Sequence, residues 1–89
     1  MNIQATATPE GEIFGARLRE LRLASGMTQA ELATRSRSNE SFISNLERGR
    51  TTPTLGMLLR LADALGCQIT DLVKVFDRRP GIAPKSRKV

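Results

Sequence analysis

Apolar residues recur along the chain at spacings of three and four, in five short groups separated by turn signals. That is the period of amphipathic helices, not of strands. The first group is Ile13, Phe14, Leu18 and Leu21, continuing to Leu23 or Ala24. It opens on Thr8-Pro9-Glu10: a hydroxyl cap, a proline suited to the first helical position and an acid facing the positive end of the dipole. Gly26 closes it. Thr28-Gln29-Ala30-Glu31 then has the form of a capping box, in which a hydroxyl and a carboxylate exchange bonds with free amides. A second helix therefore runs from Gln29 to about Arg35, with Leu32 and Ala33 inward. The linker Ser36-Arg37-Ser38 is polar, and Asn39 is a strong cap for a third helix from Glu40 to about Arg48. Ile43 and Leu46 face inward there, Phe42 lies on the flank, and Gly49 stops it. Thr54 caps a fourth helix with the stripe Leu55, Leu58, Leu61, Ala62 and Leu65, ended by Gly66. Thr70 opens a fifth, short helix carrying Ile69, Leu72, Val73 and Phe76, and Pro80-Gly81 and Pro84 forbid regular structure beyond it. Five helices, no strand and no internal repeat predict an all-α bundle.

The second and third helices are joined by only a few residues, so they must cross sharply. The third then presents a row of small hydrogen-bonding side chains outward. Such a helix-turn-helix is a device for reading base edges in the major groove of DNA.

Charge refines this picture. The chain of 89 residues has a formal net charge of +5. Residues 77–89 hold five basic groups (Arg78, Arg79, Lys85, Arg87 and Lys88) against Asp77, whereas the preceding 76 residues are nearly balanced. The basic character belongs to the tail. The expected division is a flexible N-terminal arm over residues 1–8, a helical domain over 9–76 and a basic, disordered tail over 77–89.

Several functions are disfavoured. With no histidine and one cysteine, Cys67, neither a zinc site, an internal disulfide nor a His-based triad can be assembled. Ser44 and Cys67 have no base to activate them, and no glycine-rich phosphate loop is present, so no enzyme, cofactor or metal is expected. Without Trp or Tyr, and with three Phe at structural positions, the stacking platform of a single-strand binder is missing. Residues 1–8 lack the charge and apolar core of a secretory signal, and residues 55–65 are too short to span a bilayer, so a soluble, cytoplasmic protein is expected. No separate small-molecule sensing domain is expected.

From about Phe14 to Leu72 the chain resembles the phage Cro/repressor-type (XRE) helix-turn-helix family of bacterial and phage transcription regulators. The likeness rests on Phe14-Gly15 with Leu18, Leu21 and Arg22, then Gly26-Met27-Thr28-Gln29-Ala30-Glu31-Leu32-Ala33. It continues through Ile43-Ser44-Asn45-Leu46-Glu47-Arg48-Gly49-Arg50, Pro53, and Leu58-Leu59-Arg60-Leu61-Ala62-Asp63-Ala64-Leu65-Gly66. No single piece is decisive; the ordered set at these spacings is. The resemblance implies a lambda-repressor-like DNA-binding domain and a sequence-specific regulator of transcription, with double-stranded DNA as partner. It implies base readout by Glu40, Ser41, Ser44 and Asn45. Asn45 is able to bond an adenine edge through two atoms, and Glu40 to accept from a cytosine amino group or to exclude wrong sequences. Thr28 and Gln29 are implied to face one phosphate strand, and Asn39, Arg48, Arg50 and Thr52 the other. Arg22 and Glu47 are implied to form a structural ion pair between the first and third helices.

One departure from the family pattern stands out. Family members carry a glycine flanked by apolar residues where this chain has Ser36-Arg37-Ser38. A side chain at positive φ costs roughly 1 kcal/mol, but Arg37 adds a cation near the expected DNA backbone. Val73, Val75 and Phe76 offer more apolar surface than one short helix needs, a candidate homodimer seam on a pseudo-palindromic operator. Phage repressor, restriction-modification controller and antitoxin all remain open. An alternative is an antitoxin or other protein-interaction module that binds a toxin or another regulator through helix 70–76 or the tail.

Overall fold

Four of the helices begin where a side-chain oxygen takes a backbone amide that the helix leaves free. In the computed structural model, which describes residues 7–78, the Thr8 hydroxyl accepts from the Gly11 amide at 2.9 Å and opens α1 (Pro9–Ala24). Thr28 and Glu31 exchange bonds of 3.0 and 2.8 Å at the head of α2 (Gln29–Arg35). The Asn39 side-chain oxygen accepts from the Phe42 amide at 2.8 Å ahead of α3 (Glu40–Glu47). Thr54 does the same for Met57 at 3.1 Å ahead of α4 (Leu55–Leu65). Each such cap contributes about 1 kcal/mol. The last helix, α5 (Ile69–Val73), runs into a 3-10 turn over Lys74–Arg78.

These starts fix the phase of each apolar stripe, and the stripes meet in one core. Phe14 and Leu18 of α1, Leu32 and Ala33 of α2, Ile43 and Leu46 of α3, Met57, Leu61 and Ala62 of α4, and Leu72 of α5 are buried together. Burying one such Leu or Ile stabilises by about 1.5–3 kcal/mol. α1 packs on α3, α5 and the 3-10 turn, while α2 packs on α3 and α4. α3 is thereby backed from two sides, and its opposite face is left outward. The architecture is the expected all-α, five-helix bundle with a helix-turn-helix, and no strand occurs among the described residues.

The contact of α1 with α3 is backbone against backbone. A Cβ on Gly15 would collide with the Leu46 carbonyl oxygen and stand 2.6 Å from that of Glu47. A Cβ on Gly11 would stand 2.6 Å from the carbonyl oxygen of Gly49. Gly49 in turn has φ +78°, and a Cβ there would lie 2.8 Å from the Glu12 amide nitrogen. Only glycines allow the two chains to lie this close.

Several expectations are corrected. Leu23 and Ala24 do not continue the first stripe: Leu23 is 54% exposed, whereas Arg22 beside it is 7% exposed. Ile13, 38% exposed, sits at the edge of the stripe. On α4, Leu55 is 68% exposed and Met57 takes the core position. α4 packs on α2 and α5, and the residue it buries there is Met57, not Leu55. α5 begins at Ile69 instead of Thr70, because the Asp71 carboxylate accepts from the Gln68 amide at 2.9 Å and sets the start one residue earlier. It ends at Val73, and the 3-10 turn takes in Asp77 and Arg78, two residues past the expected boundary at 76. Most of the N-terminal arm and of the basic tail (residues 1–6 and 79–89) lie outside the described residues. No described helix is long and apolar enough to cross a membrane.

Candidate nucleic-acid interface

The turn between α2 and α3 decides how the outward face of α3 is presented. α2 closes with the Ser38 amide donating to the Ala33 carbonyl at 2.8 Å and the Ser36 amide to that of Leu32 at 2.9 Å. This closure holds Arg37 at φ +60°, the left-handed position that glycine adopts without strain. The turn geometry survives the departure, at a cost of about 1 kcal/mol. Ser36 is fully buried, yet its hydroxyl is satisfied by the Ser38 hydroxyl at 3.0 Å and lies 3.4 Å from the Ala33 carbonyl. The two serines thus replace an apolar contact with a mutual hydrogen bond.

Sequence reasoning missed the residue that braces this turn. Arg60, reaching over from α4, donates its Nε–H to the Ser36 carbonyl at 2.9 Å. A cation between Leu59 and Leu61 gives no sign in the sequence that its partner is a carbonyl 24 residues earlier.

On α3, Glu40 and Ser41 are exposed and Ser44 and Asn45 half-exposed, directly opposite the fully buried Ile43 and Leu46. Residues three and four apart along a helix share a face, so Ser44 lines up with Glu40 and Ser41, and Asn45 with Ser41, in one outward row. The Arg50 amide donates to the Asn45 carbonyl at 2.9 Å, tying the following loop to the end of that row.

Cations flank this row along the chain. Arg37, Arg48, Arg50 and Thr52 are exposed, as is Arg35. Thr28 and Asn39 use their side-chain oxygens in the caps. The Thr28 hydroxyl hydrogen and the Asn39 amide hydrogens take no part in those caps, and they are the donors a phosphate needs. Gln29 is half-buried, and its Nε2 donates to Glu47 at 3.0 Å.

Behind the row lies the Arg22–Glu47 pair. Arg22 Nε and Nη2 donate to the two Glu47 carboxylate oxygens at 2.6 and 3.1 Å, and Nη1 donates to the Met27 carbonyl at 2.8 Å. Both side chains are nearly inaccessible, at 9% and 4%. The hydrogen bonds it donates to Glu47 raise the guanidinium pKa above its ordinary value, against the opposing effect of burial. The pair fixes α1, the α1–α2 loop and the end of α3 to one another.

The three residues expected at a dimer seam separate. Val73 and Phe76 pack against the protein's own core. Val75, half-buried, lines an open groove of about 440 Å³ with Arg17, Glu20, Lys74 and Asp77.

A short helix with a polar outward row, braced by a second helix across a tight turn and flanked along the chain by exposed cations, defines a helix-turn-helix module. A family model described as "Helix-turn-helix domain" matches residues 13–74. The chain belongs to the helix-turn-helix family of DNA-binding transcription regulators, of the Cro/repressor (XRE) type. The HTH-type transcriptional regulator y4dJ of Sinorhizobium fredii is 39% identical over 69 residues, spanning 78% of this chain and 90% of that protein. Among solved structures, the restriction-modification controller protein C.AhdI from Aeromonas hydrophila matches with a TM-score of 0.71 and 38% identity, covering 73% of this chain and 98% of its own. The c2 repressor of phage P22, solved in complex with a synthetic operator, matches with a TM-score of 0.65 and 34% identity over 70% of this chain and 94% of its own.

Proposed function

We propose that this protein is a non-enzymatic, sequence-specific regulator that reads double-stranded DNA by inserting the N-terminal part of α3 into the major groove. The observation that carries the reading is the outward row Glu40, Ser41, Ser44 and Asn45, set on a helix whose back is fully buried. The likeness to a repressor solved in complex with a synthetic operator supports DNA binding by this fold. Asn45 and the two serines contact base edges, and Glu40 accepts from a cytosine amino group or excludes other bases. Thr28, Gln29, Arg37, Asn39, Arg48, Arg50 and Thr52 contact backbone phosphates, fixing register without reading sequence.

One such module covers a short half-site. In this reading two copies bind a pseudo-palindrome with half-sites about one helical turn apart, and the groove beside Val75 is the seam. Selection of bound sequences from random duplex DNA tests both claims. A single motif with two-fold symmetry supports them, with Asn45→Ala and Arg50→Ala each weakening binding to it. Recovery of no motif, or affinity indifferent to both changes, refutes the assignment. A concentration-independent monomer in sedimentation, with and without that duplex, refutes the dimer.

A further inference from the structure

The Glu47 carboxylate does more than neutralise Arg22. Its Oε1 takes two donors, Arg22 Nη2 at 3.1 Å and Gln29 Nε2 at 3.0 Å. An ionised carboxylate only accepts. The Gln29 amide must therefore face Glu47 with its nitrogen, which removes the two-fold ambiguity of a carboxamide. The amide group is planar, so its second N–H diverges from the first by about 120° and is not used by Glu47. Gln29 opens α2 and is half-buried. A long, flexible side chain is thus held in one orientation before any DNA arrives.

We propose that Glu47 is a positioning residue for the DNA contact: by holding Gln29 Nε2 it presents the remaining Gln29 N–H to a backbone phosphate of the duplex. This rests on the reading of the interface given above. The benefit is preorganisation, since the rotamer freedom of Gln29 is removed on folding and need not be lost on binding. It also joins two functions in one buried group. The ion pair that locks α1 to α3 is wired directly to a side chain at the interface.

A double-mutant cycle separates this from a purely structural role. The proteins are wild type, Gln29→Ala, Glu47→Gln and the double variant. Glu47→Asp, which keeps the charge for Arg22 but retracts the carboxylate, serves where Glu47→Gln folds poorly, and Arg50→Ala is the control. Each is titrated by fluorescence anisotropy against one labelled duplex recovered by selection, below its melting transition. Gln29→Ala is expected to weaken binding about five-fold in the wild-type background, the scale of one hydrogen bond, with an unchanged melting temperature. In the Glu47→Gln or Glu47→Asp background the same change is expected to have no further effect. Equal losses in both backgrounds overturn the proposal, as does no loss from Gln29→Ala while Arg50→Ala still weakens binding. If Arg50→Ala also changes nothing, the reading of the DNA face falls first.

Discussion

Arg60 Nε lies 2.9 Å from the carbonyl oxygen of Ser36, so a side chain of α4 closes the end of α2. That carbonyl sits in the turn that aims α3, and Ser36 is buried. Without Arg60 it would lack a donor in a place water does not easily reach. Arg60→Ala is expected to cost about 1–3 kcal/mol, which lowers the melting temperature by roughly 4–8 °C per kcal/mol in a domain of this size. Thermal denaturation followed by circular dichroism measures it; an unchanged transition would show that the bond contributes nothing.

Arg37 stands at φ +60°, and an observed strained residue invites a functional explanation. Arg37→Gly relieves about 1 kcal/mol of strain, part of which is returned because glycine adds freedom to the unfolded chain. A slightly raised melting temperature is expected together with weaker duplex binding and a less steep salt dependence, by about one unit of slope for one phosphate contact. Stability and affinity moving in opposite directions is the diagnostic outcome. If affinity is unmoved, Arg37 touches no phosphate.

Glu47→Ala leaves Arg22 with its guanidinium enclosed and unmatched. Truncating one partner of a buried pair costs about 3–5 kcal/mol, so both melting temperature and DNA binding are expected to fall. Unchanged melting would show that the pair is energetically idle.

The glycine seam between α1 and α3 gives a contrasting pair. Gly15→Ala gains up to about 1 kcal/mol of helix propensity, but its methyl would press on the Leu46 and Glu47 carbonyls. Overpacking of this kind typically costs about 1–3 kcal/mol. With backbone on both sides little relief is available, so net destabilisation is expected. At Gly56 in α4 the nearest atom to a new Cβ is the Thr54 hydroxyl oxygen at 3.9 Å, and Gly56→Ala is expected to stabilise by about 0.5–1 kcal/mol. Chemical denaturation of the two variants compares them directly.

The start of α5 responds to acid. The Gln68 amide, with a smaller contribution from Lys74, holds the Asp71 carboxyl below its ordinary value of 3.8. A depressed acid stabilises the fold above its unfolded pKa and loses that contribution as pH falls through the folded value. The gap in melting temperature between wild type and Asp71→Asn should therefore be constant near neutrality and shrink below about pH 4. A gap that is flat across that range would assign the depression no part in stability.

Local chemistry explains what could be read from the sequence. Thr8, Thr28, Asn39 and Thr54 act on amides three residues ahead, so short windows reveal them, and with them the helices and the polar row on α3. What escaped depends on partners far along the chain. Arg22 is buried because Glu47 arrives 25 residues later, whereas periodicity alone points to Leu23 or Ala24 at that edge of α1. Met57 displaces Leu55 because α4 packs on both α2 and α5. Arg60 and the Gln29–Glu47 bond likewise become visible only when separate helices meet.

The glycine seam has a consequence for altering what the protein recognises. Because Gly11 and Gly15 bring α1 onto the backbone of residues 46–49, the rear of α3 has no slack for new side chains to exploit. The front, where Glu40, Ser41, Ser44 and Asn45 project, makes no such demand. A library randomised at those four positions would explore fresh operator preferences on an intact scaffold, whereas one spread over 46–49 would return mostly misfolded chains.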